Sequence, residues 1–288
     1  MTAPVRVGTA EALDGAVLAF RADGEGPALI CANGLGMPAI LWRKLADHFA
    51  PTHTVVTWDY RGYGRSPVPE HPEGVTVAQC ARDLWSVADR AGVEEAVLLG
   101  HSMGAQVCLE AYRVQPRRVR ALVPVLGAAG ASLGGGARAL PLVRVLLEAG
   151  AANAGLAGQA LRAVLRVPGV WTAICALGIV HPDLCSREDF EPWLEHLRTL
   201  DLRVYFALAR DLLSHDPGSM LSEVRVPTLV IAGERDAVAR AERPREMAAQ
   251  IPGAELLVVR GSAHAALLEQ PELVALAVEK FLRVRGLA

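Results

Sequence analysis

The chain has 288 residues, 52% of them hydrophobic and 21% charged, which supplies a sizeable core and excludes the signature of a disordered chain. Lys and Arg number 29 against 31 Asp and Glu, and with a net charge of −2 and no basic run, nucleic acid is not an expected partner. The length fits two domains, or one α/β domain carrying an insertion.

In chain order, Val5 to Thr9 and Ala16 to Arg21 flank the turn signal Asp14-Gly15 and read as a β-hairpin. Val17 to Phe20 follows that turn with no basic segment before it, so a secretory leader is not expected and a cytoplasmic protein is. Ala28 to Ala32 reads as a third strand. Strands Thr54 to Trp58, Ala96 to Leu99 and Ala121 to Leu126 follow, alternating with helices Val77 to Ala91 and Ser102 to Val114, the rhythm of parallel β-α-β crossovers. The rhythm lapses from Gly127 to about 222, where Gly134-Gly135-Gly136 leads into Ala/Leu/Val/Arg-rich segments near 138–149, 156–166, 170–180 and 187–213 that look helical. Residues 127–222 are therefore expected to be a helical cap inserted into a core of residues 1–126 and 223–288. The core resumes with strand Pro227 to Ala232, helix 243–250, strand Glu255 to Val259 and a terminal helix from about Ala265 to Val284.

Two exclusions follow from the same pass. The longest charge-poor stretch, Val167 to Pro182, is too short and is broken by Pro168, Gly169 and Gly178, so no membrane span is expected. The cysteines Cys31, Cys80, Cys108, Cys175 and Cys185 are odd in number and lack CxxC spacing, which favours buried free thiols over a disulfide framework or a zinc site.

Val97-Leu98-Leu99-Gly100-His101-Ser102-Met103-Gly104 places G-x-S-x-G between an apolar strand and a helix, the context of a nucleophile elbow. Ser102 would stand on a sharp turn with its hydroxyl exposed. A serine hydroxyl needs a base and the base needs an orienting carboxylate, and both types occur in loops just beyond later strands. Asp236 follows the strand ending at Ala232, and His264 follows the strand ending at Val259. Glu234 shares the loop of Asp236 and is the weaker candidate for the acid. His101 adjoins the nucleophile, but in a tight elbow its side chain should turn away from the hydroxyl. The oxyanion of acyl transfer needs two N–H donors, expected from Met103, after the nucleophile, and from Leu35 in the loop Cys31-Ala32-Asn33-Gly34-Leu35-Gly36.

From about Ala16 to Leu282 the chain resembles the α/β-hydrolase superfamily. The resemblance rests on the elbow, on Asp59-Tyr60-Arg61-Gly62-Tyr63-Gly64-Arg65-Ser66 after a strand, on Pro227 to Asp236 and on Gly261-Ser262-Ala263-His264. It implies a mostly parallel central sheet flanked by helices with an inserted helical cap, and serine-dependent cleavage of an ester or lactone, or of a thioester, through an acyl-enzyme. The family usually carries His-Gly where this chain has Asn33-Gly34, and enol-lactonases of the 3-oxoadipate type are similar in their Asn-containing loop. Asn33 is accordingly expected at the substrate. The family's Thr-Pro after the acid is replaced by Ala237-Val238-Ala239. Within the cap, Trp171, Ile174, Leu177, Ile179 and Trp193 are expected to line an apolar pocket for a small-molecule ester or lactone, with Trp171 and Trp193 as the leading candidates. No metal or organic cofactor is implied. Alternatives on the same triad are cofactor-free carbon-carbon bond hydrolysis and peracid chemistry; a ligand-binding receptor on this scaffold is a third.

Overall fold

The structure, a computed structural model, describes residues 4–130 and 140–288. The glycine run 134–136 and the start of the helical segment expected from 138 lie outside the described residues. Eight strands form one sheet: β1 (Val5–Glu11), β2 (Val17–Asp23), β3 (Ala28–Ala32), β4 (Thr54–Trp58), β5 (Ala96–His101), β6 (Val119–Val125), β7 (Leu229–Gly233) and β8 (Glu255–Val259). Their order across the sheet is β1-β2-β4-β3-β5-β6-β7-β8, antiparallel at the two pairings of β2 and parallel from β4 to β8. Every residue of β4, β5 and β7 is buried, as expected of parallel strands covered on both faces.

Helices α1 (Arg43–Phe49), α2 (Val77–Arg90) and α3 (Met103–Val114) connect the first parallel strands. Helix α1 was not anticipated, because seven residues are too short a window for a hydrophobic period to emerge. Helix α2 starts where the Thr76 hydroxyl accepts the Gln79 N–H. Between β6 and β7 lie α4 (Leu140–Ala152), α5 (Ala154–Val164), α6 (Val170–Ala176), α7 (Arg187–Thr199) and α8 (Leu202–Ser214). Helix α9 (Glu242–Gln250) joins β7 to β8, and α10 (Ala266–Glu269) and α11 (Pro271–Val284) complete the chain.

Alternate strand residues point to opposite faces and build two apolar layers. On one face Ile30, Trp58, Leu98 and Leu122 meet Leu84 of α2 and Val107 of α3. On the other, Leu29, Val55, Leu99 and Val123 meet Phe49 of α1 and Val274 and Phe281 of α11. Each such side chain, fully buried, contributes about 1.5–3 kcal/mol. Helix α8 belongs to the first layer through Val204, Leu208 and Leu212 and is also pinned to α2, because the Asp211 carboxylate accepts the Val77 N–H at 2.7 Å. All five cysteines are unpaired, four buried and Cys175 half-buried. No helix among the described residues is long and apolar enough to cross a membrane.

Candidate active site

Ser102 joins the last residue of β5 to the first of α3 with φ 54 and ψ −116. The two glycines of the motif permit that corner: a β-carbon on Gly100 would lie 2.2 Å from the Gly104 carbonyl oxygen, and one on Gly104 would lie 2.2 Å from the Ala32 carbonyl oxygen. Strand and helix therefore approach more closely than any other residue type allows. The N-terminus of α3, with its positive dipole end, lies directly after the hydroxyl-bearing residue.

His264 and Asp236 arrive from the turns after β8 and β7, beyond the C-terminal ends of parallel strands, where open α/β sheets bind ligands. The Ser102 Oγ lies 3.0 Å from His264 Nε2, and His264 Nδ1 lies 2.8 Å from Asp236 Oδ2. The other Asp236 oxygen accepts the Val238 and Ala239 N–H groups, both at 2.8 Å, so the carboxylate is held as an acceptor. With Asp236 ionised, His264 Nδ1–H donates to it and the Nε2 lone pair faces the serine hydroxyl. Glu234 is turned elsewhere, its carboxylate accepting the Gly261 N–H at 2.9 Å.

The turn carrying His264 is tied down by groups the sequence reading did not single out. The His264 N–H donates to the Ile179 carbonyl at 3.1 Å. Buried Glu269 accepts the Ser262 hydroxyl and the N–H groups of Ala263 and His181, so one carboxylate clamps both the histidine turn and the segment after α6. Burial pushes the Glu269 carboxyl pKa up, and those three donors oppose the rise. Within a terminal helix an acidic residue looks like ordinary solvated surface, and only the fold turns it inward. His101 donates its Nε2–H to the His264 carbonyl at 3.0 Å and packs its ring 5.0 Å from that of His264. Burial, together with the neighbouring His264, lowers its pKa to about 3, which keeps it neutral and outside base chemistry at neutral pH.

The loop holding Leu35 lies against Ser102, since a β-carbon on Gly34 would come within 3.3 Å of Ser102 Cβ. Neither the Leu35 nor the Met103 amide N–H has a hydrogen-bond partner among the described residues. Asn33, expected at the substrate, is instead fully buried behind the loop. Its Nδ2 donates to the Trp58 carbonyl at 2.7 Å, its Oδ1 accepts the Trp42 indole N–H at 3.0 Å, and its own carbonyl accepts the Tyr60 hydroxyl at 2.8 Å. An amide engaged at both ends is a clamp between the loop, β4 and the segment leading to α1, and it does not reach the cavity.

Over Ser102 opens a cavity of about 310 Å³, walled below by Gly34, Leu35, His101 and His264. Its remaining walls are Leu165, Ile174, Ile179, Phe190, Trp193, Leu197, Tyr205, Leu212 and Val238, and they include no Asp, Glu, Lys or Arg. Of the five side chains expected there, Ile174, Ile179 and Trp193 are in the wall; Leu177 is instead 65% exposed, and Trp171 packs its ring on Phe190 with centroids 5.8 Å apart. A larger cavity, about 450 Å³, lies at the opposite ends of the strands beside Ala28, Ala96 and Ala288, without a serine, cysteine or histidine in its wall. No group of three or more His, Cys, Asp or Glu side chains among the described residues is placed to hold a metal ion.

Comparison with known proteins adds to this geometry. A model described as the alpha/beta hydrolase family matches residues 29–278, a span that contains every residue of the site. A putative carbamate hydrolase RutD from Azorhizobium caulinodans is 29% identical over 248 residues, 86% of this chain and 88% of that one. An N-acyl homoserine lactone degrading enzyme of known structure matches with a TM-score of 0.77 at 25% identity, covering 95% of this chain and 100% of that one. The enol-lactonase of Burkholderia xenovorans shares the fold, with a TM-score of 0.78 at 22% identity over 96% of this chain and 100% of that one.

Proposed function

The chain belongs to the alpha/beta hydrolase family, and on that premise we propose that it is a serine hydrolase that cleaves a carboxylic ester or lactone through an acyl-enzyme. The observation that carries the reading is the hydrogen-bonded series Ser102, His264, Asp236, with spacings of 3.0 and 2.8 Å, opening into an apolar cavity. Ser102 Oγ attacks the substrate carbonyl carbon as its proton passes to His264 Nε2. The N–H groups of Leu35 and Met103, free of other partners, take the oxyanion. Collapse of the tetrahedral intermediate breaks the bond to the alcohol oxygen, which leaves with the proton from His264. Water then attacks the acyl-enzyme, with His264 as base, and releases the acid and free Ser102. Asp236 holds the Nδ1–H tautomer and stabilises the imidazolium that forms in each half-reaction.

Residues 127–222 serve as the cap in this reading, with Trp193 and its apolar neighbours receiving the hydrocarbon part of a small-molecule substrate. A relative named for carbamate hydrolysis and a neighbour named for lactone degradation agree with a carbonyl carbon as the point of attack. The wall without charged side chains favours an apolar ester or lactone over a small ionic substrate. A fluorophosphonate probe and a panel of p-nitrophenyl esters, lactones and acyl thioesters test it. The wild-type protein is expected to be labelled and to turn over esters or lactones, and Ser102→Ala to lose both. Labelling or turnover that survives Ser102→Ala overturns the reading.

A further inference from the structure

Apart from His101 and the Ser102–His264 pair, the side chains walling the cavity bring two hydrogen-bonding atoms, the Tyr205 hydroxyl on α8 and the Trp193 indole N–H on α7. Neither has a hydrogen-bond partner among the described residues, and neither is among the sealed, partnerless atoms of the interior, as Trp58 Nε1 and His196 Nε2 are. Both groups therefore open on space that water can reach in the free protein. Tyr205 is also placed beside the chemistry. Its ring covers Gly36, where a β-carbon would come within 3.2 Å of Tyr205 Cε2, and Gly36 directly follows the Leu35 amide.

A purely hydrocarbon substrate that fills this cavity displaces the water and strands both donors, each at a cost of about 1–3 kcal/mol. A substrate oxygen placed opposite Tyr205 removes its share of that cost. The oxygen must be uncharged: the wall supplies no Lys or Arg, and a carboxylate desolvated without a cation costs several kcal/mol. Packing over Gly36 needs only the ring, so a phenylalanine would serve a structural role equally well, and the hydroxyl is what requires an explanation.

We propose that Tyr205 is a specificity-determining residue that donates its hydroxyl to a second, uncharged acceptor oxygen of the substrate, a ketone, amide or ether oxygen near the scissile carbonyl. The Trp193 N–H is the second donor available in the same wall. This rests on the esterase or lactonase reading and narrows its substrate class to neutral molecules with an oxygen substituent on an otherwise aliphatic chain.

The test uses p-nitrophenyl esters of straight-chain acids paired with analogues in which one chain methylene, at position 3, 4 or 5, is replaced by an ether oxygen or a ketone, and with a half-ester ending in a carboxylate. The quantity read is the ratio of kcat/KM between the members of each pair, which cancels differences in active enzyme concentration. The wild-type protein is expected to favour at least one oxygenated ester over its parent and to disfavour the carboxylate. In Tyr205→Phe the ratio for that pair should fall about tenfold, equivalent to about 1.4 kcal/mol. An unchanged ratio in Tyr205→Phe, a wild-type preference for the hydrocarbon parent at every position, or a preference for the carboxylate overturns the proposal and leaves the hydrolase reading standing. No turnover of any ester in the series overturns the proposal, and no turnover of lactones as well overturns both.

Discussion

Ser102 is held at φ 54 and ψ −116, a conformation open to glycine and disfavoured for any residue with a β-carbon. Holding a residue in such a region costs on the order of 1–3 kcal/mol, and at this corner the cost is met by the packing of β5 against α3. Ser102→Gly releases that strain, while the extra backbone freedom of glycine in the unfolded chain takes back about 0.5–1 kcal/mol. The informative comparator is Ser102→Ala, which also lacks the hydroxyl and its bond to His264 but retains the strain. Ser102→Gly should therefore exceed Ser102→Ala in stability by roughly 1 kcal/mol, the middle of the range left by these terms. An unfolding entropy of about 2.1 cal/mol/K per residue makes that roughly 1.7 °C in Tm for a chain of this length. Paired calorimetric or circular dichroism melts in one buffer, with urea midpoints as a second measure, resolve such a difference. Both variants should lose ester turnover by a factor on the order of 10³ or more. A Ser102→Gly protein that melts at or below Ser102→Ala refutes the claim that the elbow stores strain.

The proposed acid is tested by Asp236→Asn, expected to lower kcat on the order of 10³-fold or more, against Glu234→Gln, expected within about threefold of wild type because Glu234 caps the Gly261 N–H and not His264. Steady-state kinetics on one ester decide between them. Trp193→Ala should shift preference along an acyl chain-length series by roughly 10 to 200-fold between neighbours, and Trp171→Ala, which lies behind Phe190, by much less; a larger shift in Trp171→Ala would put the cavity wall in the wrong place. His196 is buried against Tyr63 with Nε2 lacking a partner, and burial lowers its pKa to about 4. The unfolded chain therefore binds the extra proton first, so this contribution to stability is complete above about pH 6.5 and is lost as pH falls through about 4, at up to about 1.4 kcal/mol per pH unit. His196→Phe keeps the ring contact and removes the titration, so its urea midpoint should fall less than that of wild type between pH 7 and pH 5; equal falls would show that His196 does not contribute.

What the sequence reveals and what it hides divides along a physical line. Ser102, Asp236 and His264 each lie within five residues of the C-terminal end of a strand, so a local motif and the strand rhythm suffice to place them at one end of the sheet, and the fold class follows from the same alternation. Parallel pairing then brings together residues up to 162 positions apart with no further information needed from any of them. The side chains that the reading misjudged depend instead on packing between distant segments. Asn33 is drawn inward because Trp42 and Trp58, 9 and 25 residues away, satisfy its two ends. Glu269 turns inward because the histidine turn and the His181 segment both offer it donors, one of them 88 residues off. On α6, Trp171 and Ile174 are three positions apart, about 60° around a helix of 3.6 residues per turn, and that angle puts Ile174 in the cavity wall and Trp171 behind Phe190. Strand ends are set by local pattern, whereas helix rotation is set by the neighbours a helix meets. For that reason the meeting of Ser102, His264 and Asp236 is legible residue by residue, whereas the side chains that α6, α7 and α8 turn toward the cavity are set by packing that the sequence alone does not reveal.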